Sequence, residues 1–163
     1  MVRRWSVKSR QHDVSLGIME HIEFRIVTEE LGVGVFPTLV PHLNGVPLPD
    51  LVGKAELPFA RREGNPDLAG SYAGLLEDGV RWPSGHYLGD PALSWFGDGD
   101  TVLLGCNCGD WGCWPFTAMV IVAEDTVNWS GYRTGHRDWD YRELRDVTFD
   151  RRQYEQALRA TAR

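Results

Sequence analysis

The chain has 163 residues, of which 42% are hydrophobic and 11% aromatic, and its formal net charge is -6. This composition is typical of a globular domain with a buried core and excludes an intrinsically disordered chain. The negative balance argues against a generic nucleic-acid surface, because neutralising phosphates requires clustered Lys and Arg. We therefore expect one domain that binds no nucleic acid.

Residues 1–18 are mostly polar and show no apolar period, so we expect a disordered leader followed by a single globular domain over 19–163. Arg3 and Arg4 are followed by no apolar stretch, so we expect neither a signal peptide nor contact with a membrane. The chain has three cysteines, an odd number at tight spacing, which does not suit a secreted disulfide scaffold. A cytoplasmic protein with reduced thiols is the expected class.

The first elements are predicted to be strands. Apolar and polar residues alternate over 20–28, as in a strand with one buried and one solvent-exposed face. Residues 33–40 are a second strand candidate, which Pro37 places at a sheet edge because proline cannot donate to a ladder. Asn44 and Gly45 then form a pair that favours a tight hairpin turn.

A helix and a long loop are predicted in the middle of the chain. Asn65 followed by Pro66 is typical of a helix start, and the apolar residues that follow share one helical face before Gly79 ends the segment. These apolar residues are Leu68, Tyr72, Leu75 and Leu76. Residues 81–100 are interrupted by Pro, Gly and Asp around four aromatic side chains, which predicts a long loop packed by its aromatics.

Three further strands and a second helix are predicted after this loop. Residues 101–105 form a short apolar strand, 116–123 are apolar on both faces and predict a central strand, and 126–132 pair back against it. Asp150 is the expected cap of a C-terminal helix, with Gln153 at the capping-box position. The inward stripe of this helix is Tyr154, Ala157, Leu158 and Thr161.

The order of strands, helix, strands and helix shows no alternation of single strands with helices. This order predicts an α+β single domain with a mostly antiparallel sheet, a middle helix and a C-terminal helix. In this fold we expect the C-terminal helix to pack on strand 116–123.

All three cysteines lie in one short loop, 105–115, between two predicted strands. The residues of this loop that we select as candidate functional residues are Cys106, Cys108, Asp110, Trp111, Cys113 and Trp114. Cysteine behaves as a small hydrophobe when it is buried, so the interpretation we favour is a glycine-rich turn packed by thiols that are reduced and slow to react. On this interpretation the protein needs no metal and no cofactor.

A zinc site is the first alternative. Cys106, Cys108 and Cys113 would supply three thiolates, with His136 or Asp110 as the fourth ligand of a tetrahedral ion. The spacing is Cys-x-Cys-x4-Cys, however, and lacks the paired Cys-x2-Cys register of zinc knuckles.

Thiol chemistry is the second alternative, either as a redox pair or as a nucleophile, and Cys113 is the first candidate for it. A reactive thiol needs a lowered pKa, whereas the neighbouring charge of Asp110 has the sign that raises one.

A second candidate site is the segment 132–141, which mixes cations, carboxylates and aromatic rings. Such side chains anchor protein partners at interfaces. The candidate recognition residues are Arg133, His136, Arg137, Trp139 and Tyr141. The competing interpretation, which we favour here, is a loop packed by its own aromatics.

The cysteine loop resembles that of a family of small bacterial proteins of uncharacterised function. The shared residues are Leu103-Leu104-Gly105-Cys106-x-Cys108-Gly109-x2-Gly112-Cys113-Trp114-Pro115. Further similar residues follow at Val127, Trp129, His136, Arg137, Trp139, Tyr141, Phe149, Asp150, Arg151 and Tyr154. The resemblance covers the C-terminal third of the chain. It implies a bacterial origin and a single-domain unit, and it carries over no activity and no catalytic residue.

These observations together predict a small cytoplasmic binding or interaction protein without enzymatic activity. Its acidic charge would suit a basic protein partner, as an inhibitor or an immunity-type protein requires. The alternative is a zinc-binding or thiol-dependent protein, acting by redox chemistry or through a cysteine nucleophile, centred on the loop 105–115.

Overall fold

The computed structural model describes residues 19–163, so the expectation of a disordered leader at 1–18 lies outside the described residues. These residues form a single compact α+β domain in which all paired strands are antiparallel, as predicted. The strands are β1 (Ile22–Leu31), β2 (Gly34–Leu43), β3 (Val46–Pro47), β4 (Tyr72–Ala73), β5 (Leu75–Leu76), β6 (Thr101–Cys106), β7 (Phe116–Val122), β8 (Thr126–Thr134) and β9 (Val147–Asp150). The helices are α1 (Leu48–Arg62), α2 (Glu77–Val80) and α3 (Arg151–Arg159). Within 19–163, no helix has both the length and the apolar character that crossing a membrane demands.

The first sheet is built around β2, which pairs with β1 on one side and with the short strands β3 and β5 on the other. The prediction that Pro37 places this strand at an edge is therefore wrong. β5 pairs only with Thr38 and Leu39, and β3 only with His42 and Leu43, so within residues 19–163 Pro37 has no strand opposite it on that side. The predicted hairpin turn is confirmed, with φ of 50° at Asn44 and 81° at Gly45.

The second sheet has the order β4-β6-β7-β8-β9, which confirms the central position of the strand predicted at 116–123. Phe116, Thr117 and Ala118 are fully buried in succession, so both faces of β7 are covered at its start. Ile121, near the end of β7, is 54% exposed, so the residues that cover the start of this strand do not cover its end. The strand β9, which the sequence pattern did not predict, pairs with β8.

The middle helix exists, but its predicted position at 66–79 is wrong. Residues 66–68 form a single 3₁₀ turn, and the next apolar residues lie in β4 and β5, which belong to different sheets. Gly74 separates these two strands, and a Cβ there would lie 2.5 Å from the backbone oxygen of Leu39. The apolar period that predicted one helical face therefore reflects burial against two separate sheets.

The helix α1 precedes that position and escaped the sequence analysis because it contains two prolines. Pro49 lies in its first turn, where a missing N–H costs nothing, and Pro58 lies inside the helix. The buried face follows the helical period, with Leu48, Val52, Ala55, Glu56 and Ala60. One member of this face is Glu56, whose ionisable side chain interrupts the apolar stripe in the sequence.

The C-terminal helix α3 begins where it was predicted, with the Asp150 side chain accepting from the Gln153 backbone N–H at 2.9 Å. The Gln153 side chain does not close a capping box. It accepts from the Ile22 N–H at 3.1 Å and donates to the Ile22 carbonyl at 2.6 Å. The side-chain amide of Gln153 therefore links α3 to β1 by the pair of N–H and C=O hydrogen bonds that a neighbouring strand would make.

The helix α3 packs mainly on β1 and also contacts β8 and β9, rather than lying on β7 as predicted. Tyr154 explains this placement, because its ring lies 5.3 Å from Phe24 of β1 and 6.2 Å from Trp129 of β8. Its hydroxyl accepts from the Trp129 indole N–H at 3.1 Å and donates to the Tyr87 carbonyl at 2.6 Å. One core cluster thus contains residues of both sheets and of α3.

Replacing Leu158 by Ala should lower the free energy of unfolding by about 2–5 kcal/mol, because this α3 side chain is 1% exposed and its removal leaves a cavity. Urea denaturation measures the change. The matched control is Ala157→Gly on the half-buried side of the same helix, which should cost about 1 kcal/mol through helix propensity alone. Equal losses in the two variants would contradict the placement of Leu158 in the core.

Candidate functional site

The two loops that the sequence analysis singled out meet in the structure. His136 Nε2 lies 3.1 Å from the Gly112 carbonyl, and Gly135 N–H donates to the Pro115 carbonyl at 3.0 Å. A third loop, around Trp95, joins them. Their shared surface, which we call the aromatic face, comprises Trp95, Phe96, Trp114, His136, Arg137 and Trp139.

The rings of the aromatic face are in direct contact. His136 lies 5.0 Å from Trp95 and 6.3 Å from Trp114, nearly parallel to the latter at 19°. Trp139 meets Trp114 edge-on at 5.8 Å. Trp114 is 8% exposed and forms the floor, whereas Trp95 and Phe96 are 37% and 39% exposed. The face therefore presents large apolar groups to solvent above a packed aromatic layer.

Each arginine of this region lies on a ring and also faces a carboxylate. Arg137 is 5.3 Å from the Trp114 ring centre, and its Nε donates to Glu63 at 3.0 Å. Trp139 Nε1 donates to the same carboxylate at 2.9 Å, and these bonds, that of Arg137 first, lower the pKa of Glu63. Arg133 stacks on Phe96 at 3.8 Å and pairs with Asp98 at 2.9 Å. These arginines are therefore oriented by partners on both sides, and their charge is balanced.

Asp100 holds the exposed aromatics in place. Its buried carboxylate accepts backbone N–H bonds from Trp95 at 2.9 Å, Phe96 at 3.2 Å and Gly97 at 3.1 Å. Burial alone would raise the pKa of Asp100, but the Ser94 hydroxyl and these amides outweigh it and lower the pKa. The loop that carries Trp95 is thus tied to a charge at the start of β6.

Gly135 is the point where the three loops touch. A Cβ at this position would lie 2.6 Å from Pro115 Cγ and 2.7 Å from Trp95 Nε1, closer than side chains approach one another. Only glycine permits this approach without displacing one of the other two loops.

A buried carboxyl group lies beneath the face. Glu56 of α1 is fully buried, and its carboxyl group is hydrogen-bonded to the Tyr72 hydroxyl at 2.7 Å, the Tyr141 hydroxyl at 2.5 Å and the Gly70 N–H at 2.9 Å. Burial raises the pKa of Glu56, although these three hydrogen bonds oppose the rise. Tyr141, predicted as a recognition residue, is therefore a core residue at 7% exposure.

Counting hydrogens explains why the neutral form of Glu56 suits this site. The Tyr72 hydroxyl also lies 3.3 Å from Thr134 Oγ1, which donates to the Pro115 carbonyl at 3.2 Å. When Glu56 is protonated, its own hydrogen serves the contact with Tyr72, and the Tyr72 hydrogen is then free for Thr134. Each of the four contacts that join Tyr141, Glu56, Tyr72, Thr134 and Pro115 therefore has its own hydrogen. When Glu56 is ionised, only three hydrogens remain for these four contacts, and one contact is left without a hydrogen.

Hydrogen bonds to backbone groups within the cysteine loop fix its conformation, but its thiols are not buried in the core. Cys106 and Cys108 are half-buried and Cys113 is exposed, so the expectation of buried thiols is wrong for Cys113. Asp110 explains this position, because its side chain accepts from the Gly112 N–H at 3.0 Å and starts a 3₁₀ turn over Trp111–Cys113. That turn directs Trp111 against Trp95, at 6.4 Å, and leaves Cys113 on the outside.

The three thiols influence one another's protonation. A backbone hydrogen bond with Asp110, followed by bonds from the other two thiols, lowers the pKa of Cys108. Burial raises the pKa of Cys106, and the hydrogen bond to Cys108 raises that of Cys113 to about 11. Cys108 is therefore the thiol that ionises first, whereas the sequence alone pointed to Cys113.

Among residues 19–163, no group of three or more His, Cys, Asp or Glu side chains is arranged to hold a metal ion. His136, the proposed fourth zinc ligand, is engaged with the Gly112 carbonyl and with two indole rings. The geometry therefore gives the zinc interpretation no support.

Several residues that build the site were not among the candidates predicted from the sequence: Glu56, Glu63, Trp95, Phe96 and Asp100. Trp95-Phe96 had a signal in its adjacent aromatics followed by Gly and Asp, a composition typical of an exposed turn. Glu56 and Glu63 had none, because their partners lie far away in the sequence.

Comparison of this chain with protein-family models, with curated proteins and with solved structures finds no match.

Cys108 should be the first thiol to be alkylated by iodoacetamide at pH 7, because the thiolate is the reacting form and its pKa is the only lowered one of the three. Mass spectrometry of the modified peptides gives the order. The fast phase should disappear in Cys108→Ser and persist in the control Cys113→Ser. Modification of Cys113 ahead of Cys108 would contradict the assigned order.

Proposed function

We propose that this protein is a small, non-enzymatic binding protein of the bacterial cytoplasm, which recognises a protein partner through the aromatic face. The observation that carries the proposal is the exposure of Trp95 and Phe96 on a layer of packed rings, with oriented arginines beside them. The few residues that supply most of the binding energy at protein interfaces are enriched in Trp, Tyr and Arg.

The architecture of the face supports recognition because it is preorganised. Trp95 and Phe96 are fixed by Asp100, and Arg133 and Arg137 are fixed by a ring and a carboxylate each. A surface that is ordered before binding loses less conformational entropy when a partner docks. The cost of exposing these rings in the free protein is then recovered when the partner covers them.

The partner we propose is a basic protein, as an inhibitor or immunity-type protein would bind. The supporting observation is the formal net charge of -6 for the whole chain. Because Arg137 of the face and the neighbouring Arg133 are paired with carboxylates, the positive partner is attracted by the overall field without local repulsion. Association should then slow as the salt concentration rises.

A thiol-dependent function is the second candidate. The lowered pKa of Cys108 favours it, since a thiolate is the reactive form of cysteine. If this candidate were correct, Cys108→Ser would abolish function while leaving partner binding by the aromatic face unchanged.

Replacing Trp95 by Ala should weaken partner binding by about 30-fold, the effect of losing roughly 2 kcal/mol from a central aromatic contact. The experiment captures partners from a lysate of the source cells on the immobilised protein, identifies them by quantitative mass spectrometry, and measures the affinity of the purified partner by calorimetry. Phe96→Ala is a second variant of the same face.

The matched control is Ile121→Ala, which removes an exposed apolar side chain outside the face. It should retain the same partner at full affinity. A partner that binds wild type, Trp95→Ala and Phe96→Ala equally well, with all three proteins folded, would refute recognition by the aromatic face.

A further inference from the structure

A cleft lies on the other side of the cysteine loop, between β5, α2 and the part of the long loop around Leu93. Its volume is about 350 Å³. The walls include Leu31 at the end of β1, Leu75 and Leu76 of β5, Val80 of α2 and Leu93. Trp111 closes one side, and Trp111 is the one aromatic residue among those that line the cleft within the described part of the chain. The cleft is thus an apolar space bounded by four separate segments.

The cleft carries no unbalanced charge. Among the described residues that line it, Asp78 is the only one with a charged side chain, and Arg163 donates to its carboxylate. Cys106 also lines the cleft, and burial raises the pKa of its thiol, which is therefore neutral at physiological pH. A ligand with a free charge would lose its hydration here without gaining a partner.

The size of the cleft sets the size of its ligand. An engineered apolar cavity of about 150 Å³ holds benzene, and natural ligand pockets have volumes of about 300–1,000 Å³. A volume of about 350 Å³ therefore suits a molecule larger than a single six-membered ring.

The mouth of the cleft shows exposed apolar surface. Leu76 is 52% exposed although it lines the cleft and belongs to a paired strand. Gly79, also at the lining, leaves open space where a Cβ would stand, since a Cβ at this position would have no atom of the described residues within 4 Å. The cleft therefore has both an apolar rim and room for entry.

We propose that this cleft binds a small, neutral, apolar molecule with about two fused rings or a branched aliphatic skeleton of the same size. The site is separate from the aromatic face and independent of the protein partner proposed above. Trp111, which packs on Trp95, is the point where the two sites adjoin.

Naphthalene is the probe that tests this proposal, and 2-naphthoate is its charged counterpart of nearly equal size. In the full-length protein labelled at Leu and Val methyl groups, naphthalene should shift the NMR signals of Leu75, Leu76, Val80 and Leu93. The carboxylate of 2-naphthoate should weaken binding by more than about tenfold, because its charge is desolvated without a counter-ion.

Gly79→Leu should fill the mouth and abolish these shifts without lowering the melting temperature, because the position has free space and no positive φ. Leu76→Glu, which places a charge at the rim, is the second variant, and Ile121→Leu outside the cleft is the control that should bind as wild type does. Shifts that persist unchanged in both cleft variants, or methyl signals of the cleft that do not respond to naphthalene, would overturn the proposal.

Discussion

The carboxyl group of Glu56 is the contact on which the arrangement of the site depends. It is hydrogen-bonded to the Tyr72 hydroxyl of β4, to the Tyr141 hydroxyl beyond β8 and to the Gly70 N–H, and the residue that follows its own helix α1, Glu63, binds Arg137 and Trp139 of the face. The two tyrosine hydroxyls are buried, and leaving either of them without a hydrogen-bond partner would cost about 1–3 kcal/mol. One side chain therefore joins the first half of the chain to the second.

The aromatic face follows from this anchor. The ring of Tyr72 packs 6.5 Å from Trp114 and 5.7 Å from Phe116, and Tyr141 packs 5.4 Å from Phe116. Through Thr134, the same hydroxyl network reaches the Pro115 carbonyl at the exit of the cysteine loop. The exposed rings consequently lie above a packed aromatic layer whose tyrosine hydroxyls are hydrogen-bonded, and this packing orders the surface before a partner binds.

Local chemistry made part of this structure predictable from the sequence. The Asn44-Gly45 turn, the Asp150 cap and the apolar strand at 116–123 each depend on residues close together in the chain. The helix α1 could not be predicted in the same way, because Pro58 breaks its pattern and the burial of Glu56 is justified only by tyrosines far along the chain.

The candidate site was predictable to a similar extent. Its two loops were identified from composition, and His136, Arg137 and Trp139 do lie together with Trp114. Their convergence with Trp95 depends on the close approach at Gly135, and the relative acidities of the thiols depend on hydrogen bonds within the folded loop. Neither is encoded in a spacing that could be recognised in the sequence.

The pH dependence of stability tests the role of Glu56 most directly. A folded-state pKa above its ordinary value of 4.5 means that the contribution of Glu56 is fully present below the unfolded pKa and is lost as pH rises through the folded one. Urea denaturation from pH 4 upwards should therefore show the stability of wild type falling relative to Glu56→Gln. The control is Glu77→Gln, because Glu77 is held by Arg81 and Arg163, which overcome burial and lower its pKa, so its contribution is lost as pH falls. The free energy of unfolding of wild type minus that of Glu56→Gln should fall as pH rises, whereas the same quantity for Glu77→Gln should rise. A wild-type minus Glu56→Gln value that stays constant or rises with pH would contradict the account.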